Sequence, residues 1–243
     1  MFPFSDDNPS SLTPIVTWSL IAACVAVFLW QLALGDTGNR AIFGFGMIPA
    51  RLFGGAELPV GIPTVAPTMT VLTSMFMHGG IMHLGGNMLF LWIFGDNVED
   101  SMGHSRYLVF YVVCGIAAAM TQAWIDPNST IPMIGASGAI SGVLGAYLVL
   151  HPQATVRTLI ILGYFVTVMH IPAIIVLGVW FAMQFFSATV SPSDVGGVAF
   201  WAHVGGFVAG MALVWFFKKR EVGLWQPAHS RAFETERRRG PWG

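Results

Sequence analysis

The stretch Gly135–Gly145, reading G-A-S-G-A-I-S-G-V-L-G, places Ser137 and Ser141 among small residues in an apolar run that continues to Leu150. In such a run every polar side chain needs a reason. One reason is structural: the hydroxyl bonds a carbonyl one turn back, and the glycines let helices approach closely. The other makes Ser137 a nucleophile, which requires a base at the same depth and donors for an oxyanion. The rest of the chain decides between them.

Composition sets the solvent. Hydrophobic residues make up 55% of the 243 positions and charged residues 9%, with a mean hydropathy of +0.68. Soluble domains carry roughly a quarter charged residues, so this is an integral membrane protein. At ~20 residues per crossing the chain has room for about six spans and little else. Cys24 and Cys114 both lie in apolar runs and read as small apolar residues, not as a disulfide framework or metal ligands.

Outward from the serine stretch, the expected spans are Ile15–Leu34, Ile81–Phe94, Tyr107–Trp124, Ile131–Leu150, Ile171–Ala188 and Gly197–Phe217. The expected fold class is all-α, a polytopic membrane bundle of six transmembrane helices. Residues 1–14 form a polar N-terminal segment, 15–217 the membrane domain and 218–243 a basic tail. The segment 35–80 contains Pro59, Pro63 and Pro67 together with apolar pieces such as Met69–Met77, which predicts a first loop partly embedded in the membrane. Pro172 divides the apolar stretch Thr158–Ala188, so Thr158–His170 is expected along the interface. With six spans, nine basic residues fall on the side of the termini (Arg106, Arg157 and seven in the tail) against Arg40 and Arg51 opposite. The positive-inside rule then puts both termini in the cytoplasm; the membrane is expected to be a plasma (inner) membrane.

This topology runs spans two, four and six inward from the outer face, and each begins with a polar residue: His83 and Asn87, Ser137, and His203. Ser137 and His203 each lie six residues into their apolar runs, roughly 9 Å deep at the helical rise. His83 and Asn87 are four apart and share a helix face. Gly206 and Gly210 extend the face of His203, as Ser141 and Gly145 extend that of Ser137, so the two helices can pack with hydroxyl and imidazole in reach. Each residue alone is as well explained by helix-to-helix hydrogen bonding; together they are the parts of a serine hydrolase. Ser137 would attack, His203 would move the proton, and His83, Asn87 and the Ser137 N–H would hold the oxyanion. No carboxylate lies inside a span, which leaves a dyad in place of a triad. There is no H-E-x-x-H, and His78 and His83 are five apart, so neither metal nor other cofactor is expected.

These residues resemble the rhomboid family of intramembrane serine proteases. G-A-S-G at Gly135–Gly138 is similar to its G-x-S-G, H-L-G-G-N at His83–Asn87 to its H-x-x-x-N, and A-H-V-G-G-F-V-A-G at Ala202–Gly210 to its A-H-x-x-G-x-x-x-G. Motif order, spacing and the six-span bacterial layout agree from about residue 15 to 217. The resemblance implies Ser137 as nucleophile, His203 as base, His83 and Asn87 at the oxyanion hole, and a partly embedded hairpin in the first loop. One departure is that Arg51 follows Ala50 where the family commonly has an aromatic residue. The expected function is endopeptidase cleavage in or near transmembrane segments of membrane proteins, towards the extracytoplasmic face. The expected partners are transmembrane substrates and lipid, without nucleic acid, and the oligomeric state is open. The alternative is a catalytically silent rhomboid-like protein that binds transmembrane helices.

Overall fold

The computed structural model describes residues 2–190 and 198–227. Its helices are α1 (Ile15–Ala33), α2 (Gly38–Phe45), α3 (Pro49–Leu52), α4 (Pro67–Thr73), α5 (Ile81–Met102), α6 (His104–Ile125), α7 (Ser137–Leu150), α8 (Ala173–Val190) and α9 (Phe200–Phe217). Three strands, β1 (Phe2–Asp6), β2 (Thr155–Leu162) and β3 (Phe165–Pro172), complete it. Among the described residues α1, α6, α8 and α9 are long and apolar enough to cross a membrane, and α7 is a shorter apolar helix of 14 residues. The chain is a membrane-embedded, multi-pass and mostly helical bundle.

Helix α5 continues two turns past the apolar run that ends at Phe94. Its last turns are polar because they hold the N-terminal segment. The Glu99 carboxylate accepts the N–H groups of Val16 (2.9 Å) and Thr17 (2.8 Å) and the Thr17 hydroxyl (2.7 Å), so it serves the unsatisfied first-turn donors of α1. Asp100 accepts the Ser11 N–H at 2.6 Å, and the Asn8 amide donates to Asn97 at 2.7 Å. Gly103, at φ +82°, makes the one-residue turn into α6.

The stretch expected along the interface forms a β-hairpin. Strands β2 and β3 pair antiparallel from Thr155↔Pro172 to Leu162↔Phe165, and β1 pairs with β2 on the other side. The two-residue turn has Gly163 at φ +59°, the conformation that a hairpin turn asks of its first central residue. The physical cause is composition: T-V-R-T-L-I-I-L and F-V-T-V-M-H-I-P are rich in β-branched residues, which favour a pleated surface over a helix. The N-terminal segment, expected only to be polar, becomes the third strand.

The fourth apolar run also differs from its reading as one helix. Residues 131–136 are not helical: Met133 and Met47 exchange backbone hydrogen bonds (3.0 and 2.8 Å), and Gly135 sits at φ +119°. Helix α7 therefore starts at Ser137 itself. In the first loop, Arg51 Nη2 donates to the Val65 carbonyl at 2.9 Å and the Ala50 N–H to the Ser129 carbonyl at 3.0 Å, so backbone contacts hold the place where the aromatic residue is missing. Gly197 and the tail beyond residue 227, with Arg231 and Arg237–Arg239, lie outside the described residues.

The site is positioned by the contact between α7 and α9. A Cβ added to Gly206 would lie 2.1 Å from the Gly138 carbonyl oxygen, one on Gly210 1.9 Å from that of Gly142, and one on Gly145 2.2 Å from that of Phe207. Only glycine fits there, and the two backbones touch directly. Gly138 also faces α6, where a Cβ added to it would lie 2.7 Å from that of Ala118. The short helix α7 is thereby clamped at the centre of the bundle.

Candidate active site

Ser137 is the first residue of α7, and the first bond of that helix runs from the Ile140 N–H to the Ala136 carbonyl at 3.0 Å. The N–H groups of Ser137, Gly138 and Ala139 are thus the first-turn donors without an intrahelical partner. His203 is the fourth residue of α9, close to the same end of the bundle. Its Nε2 lies 2.7 Å from Ser137 Oγ, across 66 residues of sequence. The glycine seam sets that distance, because any side chain in it would push the two helices apart.

The neighbouring serine takes the structural role. Ser141 Oγ donates to the Ser137 carbonyl at 2.6 Å, the bond to a carbonyl one turn back that accounts for most serines in membrane helices. The two hydroxyls of the G-A-S-G-A-I-S stretch are thereby separated: one serves the backbone and the other faces an imidazole.

His83 and Asn87 lie one turn apart on α5 and meet at Gly135. A Cβ there would come within 2.8 Å of His83 Nε2 and 3.5 Å of Asn87 Nδ2. The first glycine of G-A-S-G thus has two causes, its positive φ and the room it leaves for both side chains. The Gly79 N–H donates to His83 Nδ1 at 3.4 Å, which leaves Nε2 as the protonated nitrogen in the neutral ring. Asn87 Nδ2 is buried with no hydrogen-bond partner. A buried amide donor left unpaired costs roughly 1–3 kcal/mol, so an acceptor brought to this place would find a donor ready. All four residues singled out in the sequence therefore come to one place.

They line a cavity of about 840 Å³ between α5 and α8, bounded by Met82 and Phe90 on one side and Trp180 on the other. Two further residues around the histidine are not evident from motif spacing. The Trp180 ring lies 6.0 Å from that of His203, tilted by 35°. Gln184, one turn later on α8, has Oε1 2.7 Å from His203 Nδ1. The available signal is a lone amide in the apolar stretch Ala173–Val190, since such a residue in a span is costly without a partner. His78, which the sequence raises only as a zinc ligand, is buried, with Nδ1 on the Phe76 carbonyl at 3.1 Å and its ring 5.3 Å from that of His83.

Residues 67–220 match a family model described as Rhomboid domain. The chain is 31% identical over 212 residues to Rhomboid protease GluP of Bacillus subtilis, covering 87% of this chain and 35% of that protein. It is 29% identical over 192 residues to Rhomboid protein 1, mitochondrial, of Saccharomyces cerevisiae, covering 74% and 51%. A shorter similarity, 31% over 91 residues, reaches Inactive rhomboid protein 1 of Drosophila melanogaster, covering 37% of this chain and 6% of that one. The chain thus spans about half or less of the length of these relatives, whose names include both a protease and an inactive protein. With a family match over most of its length, and the serine, histidine and asparagine of the three motifs gathered at one cavity, the chain belongs to the rhomboid family.

Proposed function

We propose that this protein is an intramembrane serine endopeptidase that cleaves peptide bonds in or near transmembrane segments of membrane proteins. The observation that carries the reading is the 2.7 Å approach of His203 Nε2 to Ser137 Oγ, a hydroxyl facing a base that a helix-binding protein would not require. The similarity to an inactive rhomboid covers only 91 residues and does not outweigh that arrangement.

In this mechanism Ser137 Oγ attacks the scissile carbonyl carbon as Nε2 of His203 takes the hydroxyl proton. The carbonyl π pair moves onto oxygen, and the resulting anion is held by Asn87 Nδ2–H, His83 Nε2–H and the first-turn N–H of Ser137. Collapse breaks the C–N bond, and His203 passes its proton to the leaving amine. Water then enters, loses a proton to His203 and releases the acyl group by the same route. A substrate helix hides its carbonyls in backbone bonds, so it must unwind locally in the cavity, and helix-weakening residues near the cut are expected.

The basic-residue count supports six spans bounded by residues 15 and 217, both termini in the cytoplasm of a plasma-membrane protein and a site towards the extracytoplasmic face, and the apolar pieces of residues 35–80 support a partly embedded first loop. The test is reaction of the detergent-solubilised protein with a fluorescent fluorophosphonate. Labelling is expected in wild type and Ser141→Ala and absent in Ser137→Ala and His203→Ala. A folded wild type that neither labels nor cleaves a transmembrane substrate overturns the reading.

A further inference from the structure

We infer that Gln184 is a positioning residue for the base: its side-chain oxygen holds the Nδ1–H of His203 and so presents the unprotonated Nε2 to Ser137. This rests on the endopeptidase reading for its consequence, but on geometry alone for its content. A neutral imidazole has one N–H and one lone pair, and the partner of one nitrogen decides which is where. Here both nitrogens are engaged at 2.7 Å, Nδ1 by Gln184 Oε1 and Nε2 by Ser137 Oγ. An amide oxygen only accepts, so Nδ1 carries the hydrogen. The hydrogen of Ser137 Oγ then points at Nε2, the direction in which a general base receives it.

The contact is built on both sides. Trp180 and Gln184 are four apart on α8, so one face of that helix brings an indole against the imidazole and an amide to its edge. Phe200, one turn before the histidine, meets the ring edge-on with centroids 6.4 Å apart. The amide of Gln184 stands where a triad would place a carboxylate. Being neutral, it fixes the tautomer and ring orientation and offers the transient imidazolium a dipole in place of a charge. Losing it should cost less than losing a triad aspartate, about 10- to 100-fold in kcat against the ~10⁴-fold known for that case, with KM little changed.

The experiment combines turnover with a spectroscopic reading that needs no activity. Full-length protein carrying ¹⁵N-histidine is compared as wild type, Gln184→Met, Gln184→Glu and His203→Ala, the last to assign the signal. The expected result is a His203 Nδ1–H tautomer in wild type that is lost or mixed in Gln184→Met. Gln184→Met should also lose kcat, and Gln184→Glu, which keeps an acceptor oxygen, should recover it. Unfolding temperatures in detergent confirm that each variant is folded. An Nε2–H tautomer in wild type, or an Nδ1–H signal unchanged in folded Gln184→Met, overturns the inference. If the tautomer depends on Gln184 while the wild type cleaves nothing, the positioning role stands and the endopeptidase reading falls. If Gln184→Met cleaves as wild type with its tautomer unchanged, the positioning role falls and the endopeptidase reading stands.

Discussion

Helix α9 has two very different neighbours. Towards α7 it offers glycines, and the backbones meet so closely that a single methyl at Gly210 would lie 1.9 Å from a carbonyl oxygen. Towards α8 it offers His203 and Phe207, which meet rings and an amide: Phe181 stacks on Phe207 at 4.6 Å, and Gln184 reaches His203. Only 17% of the residues in the apolar stretch of α8 are buried, against 39% in those of α6 and α9, and Gly178 on α8 has open space where its Cβ would be. The difference teaches how one imidazole can be both fixed and served. The serine–histidine distance depends on contacts that cannot stretch, because backbone atoms have no rotamers. The third contact comes on side chains from a less buried helix, next to the cavity.

The largest expected effect tests the seam. Gly210→Leu should cost at least ~3 kcal/mol or prevent folding, since overpacking against backbone cannot be relieved by a rotamer change. Gly178→Ala should be neutral or stabilising by about 0.5–1 kcal/mol. Thermal unfolding of both variants in detergent checks the pair, and equal tolerance at the two glycines would break the contrast.

A smaller effect sharpens the division within the site. Asn87→Ala removes an unpaired donor and should lower kcat by about 10²–10³. Ser141→Ala, which removes only a bond to the Ser137 carbonyl, should change kcat by no more than a few-fold. Steady-state cleavage of a transmembrane substrate decides, and comparable losses would mean that Ser141 is more than structural.

The smallest effect lies at the far end of α7, where the helix is tied by polar side chains in place of glycine contacts. Tyr147 donates its hydroxyl to Asp6 of β1 at 2.5 Å. Burial pushes the Asp6 carboxyl up from 3.8 to about 7, and Asp96 and Asp7 add to the shift. A carboxyl raised in the folded state favours folding while protonated, so its contribution is complete below about pH 4 and is lost as pH rises through 7. Hydrogen exchange at residues 2–6, corrected for intrinsic rates, should show protection rising about tenfold from pH 8 to pH 6. Asp6→Asn should flatten that dependence, whereas an unchanged slope would show that the strand is not held through this carboxyl.

Legibility in the sequence depends on the kind of physics involved. The pairing of Ser137 with His203, and of His83 with Asn87, is readable because helical spacing and small-residue faces are local properties that repeat every turn. The start of α7 is not: Ile131–Ala136 is as apolar as the helix beyond it, and only Pro132, Gly135 and the bridge to Met47 keep it out of that helix. The hairpin is hidden for a related reason, since a run bounded by polar breaks and rich in apolar residues does not by length alone distinguish a strand pair from an interfacial segment.

The sequence by itself determined the solvent, the helical bundle and which four polar residues belong together, because a bilayer penalises every unexplained polar group and that penalty is visible residue by residue. Only the tertiary structure decided that Ser141 turns back to the Ser137 carbonyl, that α7 begins at Ser137, and that Gln184 supplies the third contact. Those depend on the rotation and depth of one helix against another, which come from packing between residues as far apart as 138 and 206.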